Sequence, residues 1–515
     1  MKKIKISLIV LLLLPFTSCN KFLDKNPDSR VELDTPEKIQ KFLVSAYPTT
    51  SPAVLTEFSS DNIDDIGENN RYTLPFIEEI VYWKEFHEYG NRDGLRAIWN
   101  DCYSSIYHAN TALEAIEKLG GNTAELRASR GEALVARAYA HFVLVNLFGK
   151  HYNASTSSTD LGIPYVDAPI VQFRAQRPRN TVAEVYNRIE QDLTQGLELI
   201  NDTYYKVPKF HFTKKATQAF ATRFYLYKGE WQKAEEMATN VLGTTIVSST
   251  LRDWTAFQPL LAQDPHAKEY SRDDINANIL VATAQTNAVS YIDGTSVARF
   301  THGSAIANRE TFLTESNIWG GTQSTYKDKP YTRYITEISK YIYTKYPQYV
   351  NNRSQVVLFN ADEILLERAE ARILQNNFTG ALEDLNLFTS RYLNVTTAYT
   401  QSDINTAYES IPYSSYDTTT RLSRATQKKQ LHPVFSITSD QENLLHYLLQ
   451  CRRLLTLGEG LRWYDIRRYG IEVYRHQIGN DGNAYVREVL TQSDNRRTLP
   501  LPADVASAGM EQNPR

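Results

Sequence analysis

The sequence predicts a mainly α fold, in which helical hairpins stack into a superhelix beside a loop-rich, irregular half with minor short strands. Three observations predict it. In several segments apolar residues recur at steps of three and four, which is the spacing of one helix face. Capping boxes stand at the start of some of these segments, and two segments with the pattern of a helical hairpin resemble each other.

The first two long helices are predicted from their apolar stripes. One stripe spans residues 98–116, and the glycine pair at 120–121 ends the helix that carries it. A second stripe spans residues 134–148 and stops at Gly149. Both stripes keep a helical period over several turns, so we expect two long helices that bury one face each.

Capping boxes predict where two further helices begin. Thr181 and Glu184 have the Ser/Thr-x-x-Glu spacing, in which each side chain caps a backbone N–H of the other residue. Ser439 and Glu442 repeat that spacing, and an apolar stripe follows each box. We therefore expect one helix to begin near residue 181 and another near residue 439.

Residues 219–242 and 369–387 resemble each other as helical hairpins. In each, an apolar helix end precedes a short polar turn, then an aromatic residue (Trp231 or Phe378), and then an alanine three residues later. Small alanines let paired helices approach closely while the aromatic ring fills the gap, as in tetratricopeptide repeats. Stacked pairs of this kind build a tetratricopeptide-like superhelix with a continuous core. Generic helical hairpins are the alternative.

Two stretches predict loops instead of helices. Residues 244–355 are rich in Thr, Ser, Asn, Gly and Tyr and have weak periodicity, and residues 58–90 are similarly irregular and aromatic. Their aromatic content argues against disorder. Long irregular segments in a compact domain are usually functional. Some alternation around residues 335–345 is compatible with a short strand.

The N-terminus predicts an exported protein held by lipid. Lys2, Lys3 and Lys5 precede a short apolar run at residues 6–14, and a small residue stands directly before Cys19. This order is typical of a secretory signal. A cysteine directly after the cleavage site is typical of a lipobox, in which the thiol is acylated. The apolar run is too short to span a bilayer. The alternative is a plain signal peptide with Cys19 downstream of its cleavage site.

Composition and spacing exclude several function classes. The net charge of −3 gives no electrostatic basis for nucleic-acid binding. No CxxC or HExxH spacing predicts a metal site or a cofactor, and no GxSxG nucleophile elbow occurs. Carboxylates that are adjacent in sequence do not create the separated pair that glycoside hydrolysis needs, so we expect no enzyme. Cys102 and Cys451 lie in apolar helical patterns, which favours two buried thiols over a disulfide.

The polar motif at residues 459–465 is expected to be structural. It mixes carboxylates, an arginine and a tryptophan, which makes it resemble a site. Its glycine can end a helix. Arg462 can pair with Glu459 or Asp465, and Trp463 can anchor the core.

Short motifs spread over the chain occur in a characteristic order. They are Phe22-Leu23-Asp24, Ser60-Asp61-Asn62 and residues 130–149, 179–193, 214–234, 364–371, 458–468 and 512–514. Together they resemble the SusD/RagB-like outer-membrane lipoproteins of nutrient uptake. The chain departs from that pattern at Asn360, Cys451 and Leu455, where the family has an arginine and two glutamates. These three positions look like scaffold.

The resemblance implies a binding protein and no catalysis. Such lipoproteins are anchored in the outer membrane, face the exterior, and act as lids on a SusC-like TonB-dependent transporter that their tetratricopeptide-like half contacts. Their irregular half captures an oligosaccharide or, in the RagB-like branch, a peptide, so both ligand classes stay open. A tetratricopeptide adaptor that works through protein contacts alone and a secreted hydrolase are the remaining alternatives.

Ligand contacts are predicted from chemistry, because the resemblance carries no motif for them. A sugar face stacks on an aromatic ring, and sugar hydroxyls need amide, carboxylate or guanidinium partners. Both irregular stretches supply such groups. The candidates are Asn69, Arg71, Tyr72 and Trp83 from the first stretch and Arg309, Trp319 and Tyr326 from the second.

The predicted organisation has five parts. They are a lipoprotein signal peptide at residues 1–18, a lipidated tether and loop-rich segment at 19–95, a helical region with tetratricopeptide-like pairs at 96–243, an irregular aromatic-rich ligand-binding region at 244–355, and a C-terminal helical region with the tail at 356–515.

Overall fold

The computed structural model describes the greater part of the chain from residue 32 onward. The described residues are 32–67, 74–87, 90–169, 178–254, 270–292, 298–303, 306–307, 310–311, 318, 345–346, 353–392, 395, 397–414, 419–421, 428–481 and 483–515. Cys19, Asn69, Arg71, Tyr72, Arg309, Trp319 and Tyr326 lie outside them, as does nearly all of the strand expected around residues 335–345.

Helices dominate the described residues, which confirms the mainly α prediction. They are α1 (Pro36–Leu43), α2 (Ala53–Ser59), α3 (Pro75–Val81), α4 (Leu95–Lys118), α5 (Ala124–Phe148), α6 (Val182–Leu199), α7 (Lys214–Lys228), α8 (Trp231–Leu242), α9 (Ala288–Ile292), α10 (Ala361–Leu374), α11 (Phe378–Tyr392), α12 (Gln401–Ser410), α13 (Ser439–Leu455), α14 (Arg462–Arg468) and α15 (Ala503–Ser507).

The predicted helix starts and ends lie close to the observed ones. Helices α4 and α5 contain the two long apolar stripes and end before the predicted glycines. The capping box at Thr181 and Glu184 is present with both of its hydrogen bonds. The box at the start of α13 lies one residue earlier than expected, because Thr438 and Gln441 form it.

The two similar segments form paired helices that stack on each other. Helices α7 and α8 are joined at Gly229, whose φ of 82° is the left-handed geometry that glycine adopts without strain. Asn376, with φ 63°, lies in the turn between α10 and α11. Helix α8 packs directly against α10, and Arg372 Nε on α10 lies 2.8 Å from Glu235 Oε1 on α8. The second hairpin therefore continues the stack begun by the first, as the superhelix prediction requires.

Two small sheets complete the fold. Strands β2 (Asn278–Gln285) and β4 (Arg353–Asn360) form an antiparallel pair that leads into α10. The other sheet has the order β3-β1-β6-β7-β5 and consists of β1 (Asp64–Asp65), β3 (Phe300–Thr301), β5 (Thr419–Arg421), β6 (Val473–Ile478) and β7 (Asn483–Leu490). This second sheet joins segments that are far apart in the chain.

The core is one continuous hydrophobic cluster that runs through the helical stack into the C-terminal region. Cys102 and Cys451 both lie buried in it as free thiols, which confirms the expectation that they are packing residues. No described helix combines the length and apolarity needed to cross a bilayer.

Candidate functional site

The two irregular stretches meet at a short antiparallel strand pair. Asp64 of β1 lies opposite Thr301 of β3, and Asp65 lies opposite Phe300. The backbone N–H of Ile66 donates to Arg299 O at 2.9 Å, which extends the pairing by one residue. We call residues 62–66 together with 299–302 the junction. It brings the two stretches that supply the ligand candidates side by side.

A buried ion pair clamps the junction. Arg299 Nε lies 2.9 Å from Asp65 Oδ1, and Arg299 Nη2 lies 2.8 Å from Asp65 Oδ2, so the guanidinium engages the carboxylate through two parallel bonds. Tyr82 donates its hydroxyl to the same carboxylate. Burial and this carboxylate together raise the pKa of Tyr82 well above its usual value, so the phenol stays protonated.

His302 forms a second link between the two stretches. Its Nδ1 lies 2.8 Å from Asn62 O, and its Nε2 lies 2.9 Å from Thr311 Oγ1. Because a carbonyl only accepts, Nδ1 carries the proton, and Nε2 accepts from the threonine. Burial and the charge of Arg453 lower the pKa of His302 to about 4, so the ring is neutral at physiological pH.

The C-terminal region holds the first stretch through Asp61. Arg462 donates to both carboxylate oxygens of Asp61 at 2.8 Å, and Lys429 Nζ lies 2.7 Å from Asp61 Oδ2. The cations Arg453, Arg462 and Lys429 hold the pKa of Asp61 well below its usual range despite its burial. The buried carboxylate therefore stays ionised and binds three cations.

The polar motif at residues 459–465 is structural, but its arginine has a different partner from the expected one. Arg462 pairs with Asp61, whereas Glu459 pairs with Lys345 and Asp465 pairs with Arg452. Short-range pairing within the motif was the wrong expectation, because α14 turns the guanidinium toward helix α2 and the segment that follows it. Trp463 is fully buried, as expected of a core anchor.

Trp83, the one ligand candidate among the described residues, is a packing residue in this structure. Its side chain is only 1% exposed, and its indole Nε1 donates to Ser59 O at 3.1 Å. The guanidinium of Arg475 lies 5.0 Å from the ring centroid and donates to backbone carbonyls of the same stretch, those of Ile63 and Ser60 among them. No face of the indole is open to a sugar, which corrects the ligand role predicted for it.

Within the described residues, no group of three or more His, Cys, Asp and Glu side chains could hold a metal ion. The carboxylates of the junction are engaged by arginine, tyrosine or backbone groups instead. Carboxylates engaged in this way are typical of residues that hold neighbouring loops in place.

Two family models match the chain in succession. The first, described as "Starch-binding associating with outer membrane", matches residues 21–226, and the second, described as "SusD family", matches residues 271–512. The chain belongs to the SusD/RagB-like family.

Relatives within the SusD family share its length and its fold. SusD-like protein P38 of Formosa agariphila is 22% identical over 91% of this chain and 91% of its own length. A crystal structure of a SusD superfamily protein from Bacteroides thetaiotaomicron superposes with a TM-score of 0.64 at 18% identity and covers 93% of this chain and 100% of that one. A laminarin-binding SusD-like protein superposes with a TM-score of 0.54 at 16% identity, over 93% and 99% of the two chains.

For this SusD-family chain, two of the remaining ligand candidates, Arg309 and Trp319, adjoin described residues that form hydrogen bonds or ion pairs with distant parts of the chain. Arg309 stands directly before Glu310, whose carboxylate lies 2.8 Å from Arg453 Nη1. Trp319 follows Ile318, whose carbonyl accepts from the Tyr399 hydroxyl at 3.0 Å. Sequence reasoning missed these supports because each one joins distant parts of the chain, and a one-dimensional pattern carries no signal for them.

Proposed function

We propose that this SusD-family chain is a surface-exposed outer-membrane lipoprotein that binds oligosaccharides and delivers them to a SusC-like TonB-dependent transporter. The observation that carries the proposal is the junction. It joins the two stretches rich in aromatic, amide and guanidinium groups, which are the groups that stack on sugar rings and bond their hydroxyls. Groups from both stretches can contact one glycan only if the two stretches lie at one surface.

The family supports the same ligand class. One matching family model is described as starch-binding and associating with the outer membrane, and one solved relative binds laminarin. Both descriptions name glucose polymers. We therefore place a glycan before a peptide, and the RagB-like peptide binder remains the second outcome of the test below.

Binding without catalysis fits the state of the acidic groups in the junction and directly before it. Asp61 and Asp65 are each held by arginine through paired bonds. A glycosidase needs one protonated and one free carboxyl group on either side of the scissile bond. Carboxylates whose two oxygens are both bound by a guanidinium group are not free to act as the acid or the base, so the chain is proposed to hold its ligand without altering it.

Affinity electrophoresis in gels that contain laminarin, starch or other polysaccharides tests the ligand class. We expect at least one polysaccharide to retard the protein, and Trp319→Ala to weaken the retardation by about tenfold in Kd, since one stacked ring contributes on the order of 1–3 kcal/mol. Tyr107→Ala is the control, because Tyr107 is an exposed aromatic on α4 with 41% of its surface open.

Three results would count against the proposed ligand. They are no retardation by any polysaccharide, an equal loss in Trp319→Ala and Tyr107→Ala, and release of reducing ends from the polysaccharide. An extended peptide that co-purifies with the protein would favour the RagB-like alternative.

The lipid anchor is tested at Cys19. Labelled palmitate is expected to enter the wild-type protein and not Cys19→Ala, and the variant should leave the membrane fraction because acylation supplies the anchor. Cys102→Ala is the matched control, since that thiol is buried and free. Equal labelling of wild type and Cys19→Ala would refute the lipobox. It would leave the proposal of glycan binding standing.

A further inference from the structure

A small polar pocket lies beside the junction, where helices α12, α13 and α14 approach one another. It leaves about 50 Å³ of space that water can enter. Several of its lining residues are half-buried, so the pocket opens to solvent. Basic side chains dominate the described lining, which includes the four cations Lys428, Lys429, Arg453 and Arg462 and one carboxylate, that of Glu310.

The pocket adjoins the residues that carry the proposed glycan contacts. Glu310 directly follows the ligand candidate Arg309, and its backbone carbonyl accepts from Gln450 Nε2 at 2.8 Å. Arg453 Nε donates to Asn62 Oδ1 of the junction at 2.8 Å. A group bound in the pocket would therefore lie next to the second irregular stretch.

Three of the four cations are paired with carboxylates, and the fourth is not. Asp61 and Glu310 are bound by Arg453, Arg462 and Lys429. Lys428 forms no ion pair with a described carboxylate. Its Nζ donates to Tyr408 O at 2.7 Å and lies 4.5 Å from the centroid of a tyrosine ring.

The groups around the pocket carry one positive charge in excess. Glu442 lies near Lys428 without pairing with it, and its carboxylate accepts from the Tyr413 hydroxyl at 2.6 Å. Burial lowers the pKa of His446, so this ring adds no charge at physiological pH. With Glu442 included, four cations stand against three carboxylates, which leaves room for one negative charge.

Two of the cations have hydrogen-bond donors to spare. Arg462 binds Asp61 through Nε and Nη2, and its Nη1 has no acceptor among the described residues. Lys428 uses one of its three N–H groups on Tyr408 O. Both side chains can therefore donate to an oxygen atom that enters the pocket.

The size of the pocket limits what can enter it. One water needs roughly 10–15 Å³ of such space, so the pocket has room for about four waters. A carboxylate or sulfate group has a similar number of heavy atoms. A sugar ring is too large and would stay outside.

We propose that this pocket binds one singly charged oxyanion, a carboxylate or a sulfate ester, that is carried by a glycan. The proposal rests on the proposed function, because the sugar rings that bear the group would lie on the neighbouring irregular stretch. Lys428 would pair with the anion, and Arg462 Nη1 would donate a second bond. One negative charge matches the one positive charge left in excess.

Calorimetry with matched pairs of oligosaccharides tests the proposal. The pairs are laminarihexaose with its singly sulfated form, and hexagalacturonate with its methyl ester. We expect the anionic member of at least one pair to bind wild type about tenfold more tightly than its neutral twin, the effect of one charge-assisted hydrogen bond, and the difference to shrink as salt is raised.

Variants of Lys428 test the place of binding. Lys428→Gln should abolish the preference for the anionic member, and Lys428→Arg should keep it. Lys118→Gln is the matched control, because it removes the same charge from an exposed lysine on α4 that pairs only with Glu114. The comparison within each pair needs wild type alone, so it decides even if a variant misfolds.

The outcomes separate this proposal from the proposed function. Equal affinity of wild type for both members of every pair, or equal losses in Lys428→Gln and Lys118→Gln, would overturn the anion pocket and leave glycan binding standing. Free sulfate or acetate that binds as tightly as the anionic oligosaccharide would overturn the glycan-borne group in favour of a small ion. If no oligosaccharide binds, the neutral ones included, the proposed glycan function fails as well.

Discussion

At the scale of single residues, buried ion pairs join the N-terminal and the C-terminal parts of this chain. The pair formed by Asp61 and Arg462 spans 401 positions of sequence. Buried ion pairs contribute less to stability than their Coulomb attraction suggests, because both groups lose hydration. Their geometry is selective, however, since Asp61 would lose the partner that binds both of its carboxylate oxygens if Arg462 turned elsewhere. These contacts therefore specify where the first irregular stretch lies.

His302 predicts a pH dependence of stability. Its pKa in the folded protein is lowered to about 4 from an ordinary value of 6.5, so between those pH values the unfolded chain binds a proton that the folded chain does not. This contribution to stability is fully present above pH 6.5 and is lost as pH falls toward 4, by at most about 1.4 kcal/mol per pH unit for one group.

Urea unfolding at several pH values between 4 and 7 checks the role of His302. The free energy of unfolding of His302→Gln should fall less steeply on acidification than that of wild type, because glutamine binds no proton in this range. His141, whose pKa is lowered to about 3 by burial, contributes to the remaining slope in both proteins, together with His151 and His446, whose pKa values burial also lowers. Parallel curves for the two proteins would show that His302 does not supply this dependence.

At the scale of elements, close approach of helices α5 and α6 depends on a glycine. A Cβ added at Gly131 would lie 2.7 Å from Ile200 N and 2.9 Å from Gly196 O. Both are backbone atoms, so the helices would have to move apart. We expect Gly131→Ala to lower the free energy of unfolding by about 1–3 kcal/mol, although alanine favours a helix.

Ser129→Ala on the same helix is the control for that variant. The hydroxyl of Ser129 is buried without a hydrogen-bond partner, so its removal should be neutral or slightly stabilising. Urea unfolding followed by circular dichroism measures both variants. If Gly131→Ala proves as stable as Ser129→Ala, helices α5 and α6 can move apart to admit the methyl group without loss of stability, which would contradict the prediction.

Elements set by local sequence were predictable, and elements set by distant partners were not. The capping box at Thr181 was placed correctly because its two residues are three positions apart. Strand β1 is two residues long and exists only because β3 and β6 lie on either side of it, so no local pattern reveals it. The same reason explains Trp83: its aromatic character was evident, but the side chain that covers its ring is Arg475, which lies far along the sequence in β6.

At the scale of the whole molecule, the helical stack and the irregular half have different tasks. The stack buries a continuous core and packs α7 against both β2 and β4. The irregular half carries the proposed glycan contacts and depends on the junction for its arrangement. The sequence pattern separated these halves by composition, yet it could not reveal that residues near 64 and near 300 would pair. The link between the two irregular stretches is therefore the part of the candidate site that only the structure supplies.

The last prediction concerns that link. Replacement of Arg299 by methionine, with Asp65→Asn to avoid an unpaired buried charge, removes the clamp while keeping similar volumes. We expect the double variant to remain folded, the amide of Ile66 to exchange hydrogen faster because its acceptor is Arg299 O, and glycan affinity to fall by about tenfold, or about 1.4 kcal/mol. Arg272→Met is the control, since Arg272 forms an exposed pair with Asp274 in the same region. Hydrogen exchange and affinity electrophoresis on one preparation separate the two effects, so faster exchange at Ile66 with unchanged glycan retention would show that the junction orders the loops without shaping the binding surface.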